Sequence, residues 1–138
     1  MGTENRSGGT PVKPYPLKIV IADSLPDSAA DLLRQMGWKV DARARRSREK
    51  LLHDLKDADG LIVRSNTQVD AELLASAPQL KVIARAGTGV ENIDVEAASA
   101  RGILIINAPG ANSVSVAEHT CALMLALGRS IARADTAM

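Results

Sequence analysis

A chain of 138 residues with a formal net charge of +1 has no whole-domain basic field of the kind phosphate neutralisation demands, so nucleic acid is not an expected partner. A single cysteine, Cys121, excludes an internal disulfide framework and fits a reducing compartment. No run of roughly 18 apolar residues is present, so a cytoplasmic protein away from membranes is expected.

Residues 1–16, rich in Gly, Ser, Thr and Pro, read as a disordered tail. The fold is expected to begin after it. Leu17–Ala22 is a β-branched run closed by Asp23-Ser24-Leu25-Pro26, a strand followed by turn chemistry. From Asp27, read as a cap, Ala30, Leu33 and Met36 recur at helical spacing up to a stop at Gly37.

The same alternation continues with strands near 38–42, 60–63, 81–85 and 103–106, and helices near 47–56, 70–76 and 94–100. Tyr15 and Trp38 are the only aromatic residues, so the core must be built from Val, Ile, Leu, Ala and Met, as parallel strands between helices require. The fold class is therefore α/β: a flavodoxin-like, five-stranded parallel sheet with helices on both faces. A long C-terminal helix is expected to start at the capping box Ser115-Val116-Ala117-Glu118 and to run past Arg129. Its middle, Cys121–Leu127, is apolar nearly all round and calls for partners on more than one side.

Ligands of open α/β sheets bind beyond the carboxyl ends of the strands. Arg64 and Arg85 both stand there, each ending a strand and opening a polar or Gly-rich loop. Two guanidiniums on one sheet edge make either an anion site or a pair of structural salt bridges. The loop Gly87-Thr88-Gly89-Val90-Glu91-Asn92 has the first two glycines of a dinucleotide fingerprint, but Asn92 stands where the third belongs. Close backbone approach to an anion is the better reading of it.

His119 and His53 read as helix residues without a catalytic role, and Cys121 as a small core hydrophobe. Arg43, Arg45, Arg46 and Arg48 read as a solvated loop, with steering of a phosphorylated acid as the alternative. No cluster has metal-ligand spacing, so no metal is expected.

Three stretches together resemble the signature segments of the D-2-hydroxyacid dehydrogenases: 63–67 (VRSNT), 85–94 (RAGTGVENID) and 112–119 (NSVSVAEH). The resemblance spans roughly residues 18–138. Glu91 departs from it, since Asp is typical there. The form RAGTGV is most similar to the branch of the family that oxidises 3-phospho-D-glycerate to 3-phosphohydroxypyruvate, the step that opens serine biosynthesis. Glyoxylate or hydroxypyruvate reductases are the alternative within the family, and a non-catalytic flavodoxin-like module for anion binding or dimerisation is the alternative outside it.

By this resemblance Arg64, Ser65, Arg85, Gly87 and, from related formate dehydrogenases, Asn112 would bind a small phosphorylated 2-hydroxy acid, and Thr88 would lie against NAD. Residues 17–110 would be the first part of a substrate-binding domain. Residues 111–138 would be a hinge or dimerisation helix leading to a Rossmann domain for NAD, and homo-oligomerisation through that helix is expected. The family's glycine fingerprint, hydride-orienting Arg and acid–base His have no counterpart in these residues. The chain is therefore expected to hold no catalytic residue and to be inactive alone.

Overall fold

The computed structural model describes residues 16–43 and 46–137. Among them β1 (Lys18–Ile21), β2 (Lys39–Asp41), β3 (Gly60–Val63), β4 (Val82–Arg85) and β5 (Leu104–Ile106) form one sheet in the order β2-β1-β3-β4-β5. Every pairing is parallel. The connecting helices are α1 (Asp27–Gln35), α2 (Arg48–Asp54), α3 (Ala71–Ala75) and α4 (Val95–Ala100). This is the flavodoxin-like order that the βα alternation predicts. The expected tail falls on residues of which 1–15 lie outside the described ones.

Side-chain alternation along the strands divides the interior into two unequal parts. Val20 and Ala22 from the β1 segment, Leu61 and Val63 from β3, and Ile83 from β4 join one cluster with Leu51 and Leu55, Leu73 and Leu74, and Ala98. That face is the principal core. Ile19, Ile21 and Ala30 are buried outside this cluster, so the opposite face is closed by α1 around β1. Further along the same face the cover thins, and Leu104 and Ile106 are 60% and 48% exposed.

Helix starts follow the local chemistry in three places. The side chains of Ser47, Asp70 and Asp94 accept from the backbone N–H of Lys50, Leu73 and Ala97, satisfying first-turn donors. Asp27 does not cap, contrary to expectation. Pro26 holds the extended cap conformation and Asp27 is already the first helical residue, where its charge complements the helix dipole. Gly37 ends the segment with φ +80°, as its position implies.

The last helix differs from expectation at both ends. α5 runs Ser113–Gly128, and Asn112 precedes it without a side-chain capping bond, so the box at Ser115 is not its start. The reason is that the turn at Gly110 already directs the chain into a helix, with Val116 N–H bonded to Asn112 C=O. At the far end Ser130 adopts φ 51° and α6 (Ile131–Ala137) begins anew, so the helix does not continue past Arg129. No residue of α5 is buried, and Leu123, Met124, Leu125 and Leu127 are all more than half exposed. Cys121 is exposed with them and is not a core residue, because nothing in the described chain covers this helix.

The basic cluster is also not a solvated loop. Arg46 has a side chain 2% exposed and donates to Asp41 Oδ1 at 3.0 Å, Asp54 Oδ2 at 2.9 Å and the carbonyls of Ile21 and Asp41. Arg43 pairs with Asp41 and Asp54 as well, while Arg48 pairs with Asp70 at 2.6 Å and Glu72 at 2.8 Å. Arg45 lies outside the described residues. A guanidinium buried this deeply is tolerated only with its donors satisfied, which is why two carboxylates and two carbonyls surround it. Hydrogen bonds from Arg43 hold the Asp41 carboxyl far below the usual range; partial burial opposes them, and Arg46 adds to the lowering.

Replacing Arg46 by Ala is therefore expected to cost about 3 kcal/mol or more in denaturant unfolding, because two carboxylates lose their buried partner. Since the folded Asp41 carboxyl ionises more readily than the unfolded one, its contribution is full above about pH 4 and is lost as pH falls below that. An acid titration of unfolding midpoints should show that decline in the wild-type chain and less of it in Asp41→Asn.

Candidate functional site

Parallel pairing sets Val63 of β3 opposite Arg85 of β4. Arg64, one residue beyond β3, and Arg85, the last residue of β4, therefore emerge at the same edge. A cleft of about 570 Å³ opens there. It is lined by Arg64, Ser65, Arg85, Gly87, Thr88 and Asn112, all six of the residues singled out in the sequence, together with Ala86, Gly89, Glu91, Ala108 and Ala111. A smaller hollow of about 140 Å³ lies at the end of β1.

The loop after β3 is held from beneath by a buried carboxylate. Asp23, 7% exposed at the end of β1, accepts from Arg64 N–H at 2.6 Å, Thr67 N–H at 3.3 Å and the Thr67 hydroxyl at 2.8 Å. Buried Asn92 completes the clamp: its amide donates to the carbonyls of Arg64 at 2.8 Å and Thr67 at 2.6 Å. Neither residue stands out in the sequence as functional. Asp23 looks like turn chemistry and Asn92 like a failed third glycine, yet an Asp just past a strand and an Asn closing a Gly-rich loop were the available signals.

The second loop is built around its glycines. A Cβ on Gly87 would lie 2.5 Å from Arg85 Nη1, so a larger residue here would push the guanidinium out of its present place. Ala108 N–H donates to Gly87 C=O, and the Asn107 amide donates to Thr88 C=O at 2.6 Å. The Thr88 hydroxyl donates to Asn112 Oδ1 at 3.0 Å, which ties the loop to the entrance of α5. Asn112 thus serves the cleft instead of capping its helix.

The two arginines differ. Arg64 is exposed, its guanidinium at hydrogen-bond limit from Ser24 C=O at 3.5 Å. Arg85 is 13% exposed, its buried Nε has no partner among the described residues, and its Nη2 lies 3.6 Å from Glu91 Oε2. A cation of this kind, mostly buried and incompletely satisfied in the lining of a cleft, is suited to receive a carboxylate or phosphate oxygen. His53 and His119 do not line the cleft; His53 lies on α2 beside Asp54, and His119 is exposed on α5. Among the described residues no three His, Cys, Asp or Glu side chains gather as metal ligands, and no helix is long and apolar enough to cross a membrane.

A parallel 2-1-3-4-5 sheet with two arginines lining one cleft at its carboxyl edge defines an open α/β domain whose cleft lies where ligands of such sheets bind. Residues 19–136 match the D-isomer specific 2-hydroxyacid dehydrogenase family, catalytic domain, and the chain belongs to that family. It is 45% identical over 119 residues to a D-3-phosphoglycerate dehydrogenase of Archaeoglobus fulgidus, covering 86% of this chain. It spans 23% of that relative's length.

Among solved structures it superimposes on a protein from Thermus thermophilus with a TM-score of 0.81 and 34% identity, over 87% of this chain and 39% of that one. NAD+-bound 3-phosphoglycerate dehydrogenase of Entamoeba histolytica gives a TM-score of 0.72 and 32% identity, over 81% of this chain and 39% of that one.

Because Asp23 satisfies two backbone donors of the loop, Asp23→Ala is expected to destabilise the chain by about 1–3 kcal/mol. Hydrogen exchange at the Arg64 and Thr67 amides should accelerate more than exchange at the centre of β3. Unchanged protection at both amides would contradict the clamp.

Proposed function

We propose that this chain is the substrate-binding portion of an NAD-dependent D-3-phosphoglycerate dehydrogenase, which oxidises 3-phospho-D-glycerate to 3-phosphohydroxypyruvate at the start of serine biosynthesis. The observation that carries the proposal is the convergence of Arg64 and Arg85 on one cleft. Membership of the family and the names of the matched relatives supply the reaction.

In this reading the anionic groups of the substrate lie between Arg64 and Arg85, with Ser65 and the Gly87 backbone as neutral donors. The carbon to be oxidised then faces Thr88 and Asn112, which line the same cleft and are bonded to each other. The fit to a nicotinamide rests on Thr88, which lines the cleft with its hydroxyl bonded to Asn112 Oδ1 and its carbonyl to the Asn107 amide, a fixed wall against which a flat ring would lie. When bound, NAD supplies the hydride acceptor. What these residues do is bind the acid and orient it, because proximity and alignment convert an encounter into a reactive pair. The pyrophosphate anchor, the hydride-orienting Arg and the acid–base His are assigned to an accompanying Rossmann-type domain, consistent with relatives about four times as long.

Residues 17–110 form the substrate-binding part and residues 111–138 the hinge. The exposed apolar surface of α5 supports a second role for that hinge, contact with another copy of the protein, because so large an uncovered apolar stripe is unusual on a monomer.

In a protein carrying both domains, Arg85→Ala should weaken phosphoglycerate binding by about 2–4 kcal/mol, seen mainly in KM. Arg85→Lys should not restore it, because an ammonium cannot present a planar fork. Unaltered kinetics in Arg85→Ala would refute the assignment. Separately, Leu123→Glu with Leu127→Glu should shift sedimentation toward smaller species; a wild-type chain that stays monomeric at all concentrations would exclude the self-association role.

A further inference from the structure

Glu91 lines the cleft with its carboxylate turned inward over the Gly-rich loop. A Cβ on Gly89 would lie 1.8 Å from Glu91 Oε1, so the carboxylate occupies space that only a glycine leaves open. From there Oε2 reaches to 3.6 Å from Arg85 Nη2. This separation is an ion pair longer than a hydrogen bond. It neutralises charge without using the guanidinium's donors, and Arg85 Nε remains buried without a partner among the described residues.

The two members of the pair are unequally held. Arg85 is 13% exposed and packed against Gly87, whereas Glu91 is 79% exposed on a rotatable stem. A second anion entering the cleft can therefore displace the carboxylate at small cost, while Arg85 stays in place.

We propose that Glu91 is a built-in counter-ion of the anion site. It covers Arg85 while the cleft is empty, competes with the incoming acid and swings aside when the acid binds. It thereby lowers affinity for anions in general and reserves the site for ligands that engage Arg64 as well. The proposal rests on the anion-site reading given above. The reach across Gly89 needs the full length of a glutamate; an aspartate, one methylene shorter, falls short of the guanidinium.

The test is calorimetric titration of the 138-residue chain with inorganic phosphate and with 3-phosphoglycerate, at fixed low ionic strength. The chains compared are wild type, Glu91→Gln, Glu91→Asp, Arg85→Ala and, as a charge control on the α4 surface, Glu96→Gln. Glu91→Gln is expected to bind both ligands about two- to fivefold more tightly, the amount by which a part-exposed ion pair competes. Glu91→Asp should follow it, and Glu96→Gln should match wild type. Wild-type binding that is lost in Arg85→Ala but unimproved in Glu91→Gln would overturn the counter-ion and leave the anion site standing. An equal gain in Glu96→Gln would also overturn it, by assigning the effect to net charge. Binding by none of the chains would overturn the anion site, and the counter-ion with it.

Discussion

Parallel pairing of β3 with β4 is the constraint on which the cleft depends. Strands that run the same way release all their carboxyl ends at one edge, and the register that sets Val63 across from Arg85 brings Arg64 and Arg85 to one level of it. In an antiparallel pair the loops after the two strands would lie at opposite edges. The strands have only three or four residues each, so the pairing is secured less by its own hydrogen bonds than by burial of Val20, Leu61, Val63 and Ile83 against α2, α3 and α4.

Above this frame, the loops that carry the chemistry are fixed by buried polar groups. Asp23 and Asn92 belong to the ends of different parts of the sheet and grip the same four residues, 64–67, from two directions. A loop without such partners would lose affinity to the entropy of ordering when its ligand arrives. The parallel bridge between Val69 and Ile93 extends the same link further along both loops. One wall of the cleft is in this sense held by buried groups, while Glu91 on its rim is 79% exposed.

The distribution of charge follows a similar logic. A net charge of +1 hides strong local separation. Arg43, Arg46 and Arg48 are committed to Asp41, Asp54, Asp70 and Glu72, and these bonds fasten the segment before α2 to β2 and to the start of α3. Asp70 shows the coupling of local and distant structure: the Leu73 backbone N–H and then Arg48 draw its carboxyl below the ordinary range, so one side chain both caps a helix and closes an ion pair. With those arginines committed, the guanidiniums that line the cleft are Arg64 and, facing Glu91, Arg85.

The order of elements, the parallel sheet and the position of the two arginines were legible in the sequence, because each depends on neighbours a few residues away. Alternating β-branched runs, helix starts near Ser47, Asp70 and Asp94, and an arginine at the end of a strand all act over one or two turns of chain. Local signals failed where a competing conformation was available, as at Asp27 behind Pro26 and at the unused box of Ser115. The rest was decided only by the tertiary structure. Asp23 meets Arg64 from 41 residues away, Arg46 meets Ile21 C=O from 25, and Asn92 meets Thr67 from 25. A polar side chain reads the same in a sequence whether it ends in water or beneath a loop; burial alone makes its hydrogen bonds obligatory, and burial is a property of the packed sheet.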